Sequence, residues 1–142
     1  MIINSRRKAR EACLQLLYQS VIKEDWSDQE IKLCQDIFFE ASEEELIFGV
    51  IKNLTLIDKL ISKASNHWSI SRMAIIDLNI LRLATYEIAF IDEIPTNVSL
   101  NEAIELAKLY GSEDSSLFVN GVLDKIAEEI KDSTNLKNKK VA

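Results

Sequence analysis

Basic and aromatic side chains share one face of the first predicted helix. Arg7, Arg10, Leu14 and Tyr18 follow one another at spacings of three, four and four residues, which places them along one side of a helix. Guanidinium groups bind phosphates, and an exposed aromatic ring offers a surface on which an unpaired base can stack. The pattern therefore indicates contact with single-stranded nucleic acid. The alternative is that Tyr18 packs between two parts of the molecule with its hydroxyl in water.

The last predicted helix carries a second set of candidate side chains. Phe118 lies about 110° from the centre of the apolar stripe of this helix, and Lys125 shares its side. Gly121, in mid-helix, costs about 0.5–1 kcal/mol relative to alanine, so we expect another helix or a ligand to approach it closely. Asn120 and Asp124 lie on the opposite flank, where they would bind base edges or cap a neighbouring helix. The alternative for Phe118 is a place at the rim of the core.

The motifs of common enzymes are absent from the sequence. There is one histidine, His67, and Cys13 and Cys34 do not form a pair with metal-ligand spacing. The sequence contains no glycine-rich phosphate loop and no G-x-S-x-G turn. A hydrolytic site would have to use His67, and the two cysteines are typical of buried thiols. We therefore predict that the protein is not an enzyme and has no metal or organic cofactor.

Charge is distributed unevenly along the 142 residues, whose net charge is −6. Residues 1–10 contain four basic and no acidic residues, because Arg6 and Lys8 accompany the two arginines named above. Residues 131–142 are also basic, so the part between them is strongly acidic. A basic terminus attracts nucleic acid locally, whereas an acidic body disfavours indiscriminate binding. The alternative is that both ends are merely solvated.

Neither a membrane span nor a signal peptide is expected from the sequence. The longest stretch without a charge, residues 12–22, has eleven residues, and a membrane-spanning helix needs ~18. The basic N-terminus is not followed by a small-residue cleavage pattern. These features predict a soluble cytoplasmic protein without a membrane partner.

Signals for helix starts and ends recur along the whole chain, whereas strand alternation is absent. Capping boxes of the form S-x-x-E begin at Ser27, Ser42 and Ser99. Pro95 ends one helix and Gly111 follows the next. These signals predict an all-α fold with six helices, at roughly 4–22, 28–41, 43–65, 70–91, 99–110 and 113–131.

A polar break at residues 65–71 suggests two small helical subdomains of three helices each, packed into one compact helical bundle domain. The N-terminal lobe would cover about 1–66 and the C-terminal lobe about 67–132, with a basic tail at 133–142. Apolar spacing predicts the core stripes of the first and last helices. These stripes comprise Ala9, Ala12, Cys13, Leu16 and Leu17, and then Val119, Val122, Leu123, Ile126, Ala127 and Ile130.

Four segments of the chain match a known family. They are R-R-K-A-R-E-A-C-L-Q-L-L-Y at 6–18, I-L-R-L-A-T-Y-E at 80–87, I-P-T-N-V-S-L-N-E-A-I-E-L-A-K-L-Y-G at 94–111 and F-V-N-G-V-L-D-K-I at 118–126. Together they resemble the NusB family of bacterial transcription antitermination factors. The resemblance spans nearly the full chain and implies an all-α fold with two helical subdomains.

The resemblance also implies a function. NusB-like proteins bind the boxA element of nascent ribosomal RNA transcripts as single-stranded RNA, together with the ribosomal protein NusE. The complex joins other Nus factors on RNA polymerase and lets it pass terminators. A NusB-like domain also occurs fused to an rRNA methyltransferase, but we expect no catalytic domain here because the chain ends just after the last helix. Family members are monomers or homodimers, and the sequence does not choose between them.

The family motifs imply roles for particular residues. Glu87 matches the region that faces NusE. The competing interpretation is an all-α protein–protein adaptor that makes no direct RNA contact and whose basic ends serve solubility. The residues that match RNA-binding positions are Arg6, Arg7, Lys8, Arg10, Tyr18, Phe118, Asn120, Gly121, Asp124 and Lys125.

Overall fold

The computed structural model describes residues 2–23, 41–66 and 69–141, with side chains over 6–21, 46–66 and 69–132. Within these ranges the chain forms α-helices and a single 3-10 turn at Ile70–Arg72, and no strand. The prediction of an all-α fold is therefore confirmed. The helices are α1 (Ile2–Lys23), α2 (Ala41–Lys52), α3 (Leu54–Ala64), α4 (Ile75–Phe90), α5 (Thr96–Tyr110) and α6 (Ser115–Val141).

Several helix boundaries differ from the predicted ones. The predicted helix 43–65 is divided at Asn53, where the side-chain amide donates to the carbonyl oxygen of Gly49 at 2.8 Å and the backbone leaves helical geometry. Such local side-chain bonds compete with a continuous helix. The predicted helix 70–91 begins only at Ile75, after the 3-10 turn. The described residues do not include Cys34 or His67. Of the predicted helix at 28–41, they include only the last residue, Ala41.

The predicted capping box at Ser99 is wrong. Helix α5 begins at Thr96, one turn earlier, with Pro95 at its N-cap. Proline is compatible with this position because it has no N–H to satisfy, and its φ of −59° and ψ of 142° are the extended backbone typical of an N-cap. Ser99 is instead buried, and its hydroxyl donates to Glu87 of α4 at 2.9 Å. The side chain of Glu102 likewise points away from the helix start, toward α1.

Helix α4 lies at the centre of the molecule. Every residue from Asp77 to Glu87 is buried, and α4 contacts each of the other five α-helices described here. The predicted stripe of α1 is buried throughout, and the first four residues of the α6 stripe are buried as well. One apolar core thus joins helices from both halves of the chain. The division into lobes at about 1–66 and 67–132 stays a prediction.

Two buried charged side chains of α4, Arg82 and Glu87, form ion pairs with the helices around it. Arg82 donates from Nε and Nη2 to the two carboxylate oxygens of Asp58 on α3, both at 2.9 Å. Lys63 of α3 also pairs with Glu129 of α6. Bidentate pairs of this kind have a defined geometry, so they fix how neighbouring helices are oriented.

Cys13 is a buried free thiol in the core, as its spacing predicts. Burial raises the pKa of the Cys13 thiol far above its usual range, and the negative charge of Glu87 adds to the effect. Because the thiolate is the reactive form, this side chain is chemically inert in the folded protein. No helix in the described part of the chain is both long and apolar enough to cross a membrane.

Candidate nucleic-acid interface

A groove of about 490 Å³ opens beside Tyr18 on α1. The Tyr18 side chain is 43% exposed, so its ring stands at the surface rather than in the core. Buried Leu14 and half-buried Ile76 give the groove an apolar lining. We call this cavity the Tyr18 groove. Its lining residues are Glu11, Leu14, Gln15, Tyr18, Gln19, Ile76 and Tyr110.

Tyr110, the last residue of α5, supplies a second aromatic ring to the Tyr18 groove. It is 49% exposed, and its hydroxyl donates a hydrogen bond to Oε2 of Glu11 at 3.0 Å. This bond, with smaller effects from partial burial and from the carboxylate charge, raises the pKa of Tyr110. Tyr110 was not among the sequence-predicted site residues. It lies within a family-like segment, but nothing in its spacing marks it as the partner of a ring on α1.

A smaller groove of about 230 Å³ opens beside Phe118. Phe118 is half-buried and packs against the core. Asp77 lines this groove, whereas the preceding residue, Ile76, lines the Tyr18 groove. Adjacent helical residues point about 100° apart, so the two grooves flank the first turn of α4. We call this the Phe118 groove. Its lining residues are Arg72, Met73, Ala74, Asp77, Ser112, Asp114, Ser115 and Phe118.

Arg7 presents a cation at the surface of α1. Its side chain is 50% exposed, although Nε and Nη2 donate to the Glu102 carboxylate on α5 at 3.2 and 3.0 Å. The hydrogen bond to Glu102 and the charge of that carboxylate raise the pKa of Arg7. Lys8 is exposed and Arg6 is half-buried. The start of α1 therefore offers cationic groups to solvent.

Arg10 lies in the interior, unlike its neighbours in the basic segment. It is 3% exposed, and its Nε and Nη2 each donate to Glu87 at 2.7 Å. Glu87 is 1% exposed and also accepts the bond from Ser99. Arg10 was expected to touch RNA and Glu87 to face a partner. Their burial argues against both direct contacts, because a buried bidentate pair satisfies each charge internally.

The exposed side of α6 is open at Gly121. A Cβ atom added to Gly121 would meet nothing within 4 Å among the described residues. The sequence left two explanations for this glycine, a close neighbouring helix or a ligand, and no described helix approaches it. Lys125 follows one turn later and is exposed. The surface of α6 beyond Phe118 is therefore accessible to a ligand backbone.

Asp124 belongs to a different groove. It lines a wide cleft of about 710 Å³ between α6, α5 and the turn before α5, together with Asp92 and Glu128. This cleft shares no lining residue with the Tyr18 or Phe118 groove. Asn120 is half-buried on the same helix. The structure thus brings Tyr18 and Phe118 to neighbouring grooves but does not bring Asp124 to either.

Comparison with known proteins assigns the family. The model of the NusB family matches residues 7–128. The chain belongs to the NusB family. This NusB-family chain is 43% identical to the transcription antitermination protein NusB of Geotalea daltonii, with 92% of this chain and 99% of the relative covered. It is 45% identical to NusB of Listeria monocytogenes, with 89% and 98% covered.

Solved structures of NusB proteins share the fold. The T. maritima NusB structure superposes with a TM-score of 0.79 at 41% identity, covering 87% of this chain and 91% of that one. A NusB in the crystal structure of NusB and NusE in complex with dsRNA superposes with a TM-score of 0.75 at 25% identity, covering 87% and 96%. The helices that carry the two aromatic grooves and the basic segment are therefore arranged as in solved NusB structures.

Proposed function

We propose that this NusB-family protein is a non-enzymatic transcription antitermination factor that binds boxA-type single-stranded RNA together with NusE. It acts in the cytoplasm on nascent ribosomal RNA transcripts. The complex with NusE joins other Nus factors on RNA polymerase and supports transcription through terminators. The protein acts as a monomer or as a homodimer.

The observation that carries this proposal is the position of two aromatic side chains in two neighbouring grooves. Ile76 of α4 lines the groove of Tyr18, and the next residue, Asp77, lines the groove of Phe118. The two rings therefore flank the first turn of α4. A strand of unpaired bases can be bound by stacking on such rings, each worth about 1–3 kcal/mol. A relative with the same fold has been crystallised with NusE and dsRNA, which supports NusE and RNA as partners, whereas the single-stranded form of the RNA is proposed from the exposed rings.

Each candidate residue receives a role consistent with its exposure. Phosphates bind to Arg6, Arg7 and Lys8 at the start of α1, and Lys125 provides a further cation on α6. Unpaired bases stack on the two rings, and the RNA backbone passes close to Gly121. Arg10 and Glu87 act indirectly, because their pair holds α1 against α4 and α5.

Asn120 and Asp124 are assigned to a part of the RNA that lies away from the two aromatic grooves. Because Asp124 lines the wide cleft rather than either aromatic groove, these two residues contact RNA only where the strand continues around α6. Their amide and carboxylate groups would select bases by hydrogen bonding to exposed edges. Removal of either side chain should therefore change sequence preference more than affinity.

Fluorescence anisotropy with a labelled boxA-type oligonucleotide tests the proposal. The arms are a scrambled strand, a double-stranded competitor, and each RNA with and without NusE. The three phosphate contacts at the start of α1, without Lys125, predict a fall in affinity of about 20-fold between 50 and 200 mM salt, from a slope of ~0.7 per contact for single strands. The matched variants are Lys8→Ala, in the proposed surface, and Lys59→Ala, an exposed lysine on α3.

We expect a preference for the boxA-type strand that NusE strengthens, and weaker binding only in the Lys8 variant. Equal binding of boxA-type and scrambled strands under every condition would favour the protein–protein adaptor. Equal loss in both lysine variants would indicate a general charge effect rather than a defined surface.

A further inference from the structure

We propose that the Tyr18 groove holds one unpaired nucleobase between the rings of Tyr18 and Tyr110, and that Glu11 positions the second ring. This inference rests on the proposed RNA binding and adds two residues to its surface. It gives the groove one occupant, a single RNA base inserted from a strand whose phosphates lie on the basic start of α1.

The groove has the size and lining that a base requires. Its volume of about 490 Å³ is within the ~300–1,000 Å³ typical of small-molecule sites. Two half-exposed aromatic rings line it, one from α1 and one from the end of α5. Rings that come from two different helices can contact both faces of a flat ligand, whereas a single exposed ring contacts one.

Polar groups at the groove match the edges of a base. Gln15 and Gln19 line it, and each primary amide provides both donors and an acceptor. Such side chains can hydrogen-bond to any base edge, so the site would require an unpaired base without fixing its identity. The exposed amide of Gln15 would have no partner in the groove if a purely hydrophobic peptide side chain occupied it.

Glu11 is a positioning residue for Tyr110. Its carboxylate accepts the phenolic hydrogen bond at 3.0 Å, which ties the end of α5 to α1 and sets the ring against the groove. A carboxylate repels phosphate, so direct contact between Glu11 and the RNA backbone is disfavoured. Arg7 precedes Glu11 by four residues, about 6 Å along the helix, and therefore provides a phosphate contact on the same side of α1.

The test uses boxA-type oligonucleotides in which single bases are replaced, one position at a time, by the fluorescent analogue 2-aminopurine. Stacking against tyrosine quenches this fluorophore. The variants of the full chain are Tyr110→Ala, Tyr110→Phe and Glu11→Gln. Leu109→Ala is the matched control, because Leu109 is adjacent, 65% exposed and does not line the groove.

We expect one position to be strongly quenched with the unmodified protein. Tyr110→Ala should weaken binding by roughly 5- to 150-fold and remove the quenching at that position alone. Tyr110→Phe keeps the ring and should retain the quenching, with a smaller loss of affinity. Glu11→Gln should reduce the quenching partly, and Leu109→Ala should change neither quantity.

The outcomes separate this inference from the function on which it rests. If Tyr110→Ala binds and quenches like the unmodified protein while Lys8→Ala binds RNA weakly, the groove does not hold a base but RNA binding stands. If Tyr110→Ala loses affinity for NusE and not for RNA, the occupant is a protein side chain and the inference is overturned. If the unmodified protein binds no RNA with or without NusE, the proposed function itself fails. Thermal melts of each variant identify any loss due to unfolding, and Tyr110→Phe keeps the test decisive if Tyr110→Ala does not fold.

Discussion

Replacing Arg10 with alanine should destabilise the whole fold, whereas replacing the neighbouring Arg7 should not. The guanidinium of Arg10 is buried and makes two hydrogen bonds of 2.7 Å to Glu87, which is itself buried. Removing one partner of a buried ion pair leaves the other charge uncompensated and costs about 3–5 kcal/mol. Proteins of this kind have about 5–15 kcal/mol of total stability, so the loss is a large fraction of it.

Urea denaturation followed by circular dichroism measures the effect. With a slope of about 2 kcal/mol per molar urea, a loss of 3–5 kcal/mol moves the midpoint down by roughly 1.5–2.5 M. Arg7→Ala is the matched control, because its ion pair with Glu102 is exposed and exposed pairs contribute little. The double variant Arg10→Met with Glu87→Leu should recover part of the lost stability, since it removes both charges from the core but leaves the buried Ser99 hydroxyl without its acceptor.

A variant Arg10→Ala with the midpoint of the unmodified protein and selectively weakened RNA binding would refute this reasoning. It would mean that the guanidinium of Arg10 is accessible to phosphate and that the pair with Glu87 does not hold the helices together. Failure of the double variant to recover would point instead to steric requirements at this position.

Three further substitutions test other parts of the surface. Gly121→Ala should raise stability by about 0.5–1 kcal/mol, because the site is open, and should weaken RNA binding. Unchanged affinity would exclude a close RNA backbone. Glu102→Gln should weaken the ion pair with Arg7 and therefore raise RNA affinity. It should also increase the slope of log affinity against log salt concentration by up to ~0.7. Unchanged affinity would show that Arg7 is already available. The pKa of Tyr110 is raised, so its bond to Glu11 stabilises the fold below the ordinary phenol pKa and is lost as the pH rises through the folded value. Glu11→Gln should lower that pKa in an ultraviolet absorbance titration, and no change would refute the assigned cause.

Helical periodicity predicts the parts of this fold that depend on local sequence. The stripe on α1 is buried because its residues recur at the helical period, and α4 is central because it is apolar on nearly all sides. The position of Asn53 was not anticipated, because an asparagine within an apolar period does not reveal whether its amide will bond to the backbone. The start of α5 was misplaced because Ser99 and Glu102 satisfy a capping pattern while serving contacts with other helices.

The candidate site was predicted less completely than the fold. Helical spacing places Arg7, Arg10 and Tyr18 on one side of α1, but it cannot indicate that Glu87, which is 77 residues away from Arg10, draws that arginine inside. The Tyr110 ring was missed for the same reason, because its partner on α1 is 99 residues away. Gly121 stands out in the sequence because a glycine in mid-helix has a local cost, and its role in binding stays a prediction.

The carboxylate of Glu87 is shared by groups that the ribosome makes at very different times. Arg10 emerges early, whereas Glu87 and Ser99 follow 77 residues and more later. The first helix therefore leaves the ribosome before the carboxylate that pairs with its buried guanidinium has been made. Helix α1 can therefore reach its final packed position only late in translation. The same holds for the alignment of the basic segment at its start. Shortened chains that stop before Glu87 should consequently expose α1 to proteases, even though α1 is synthesised first.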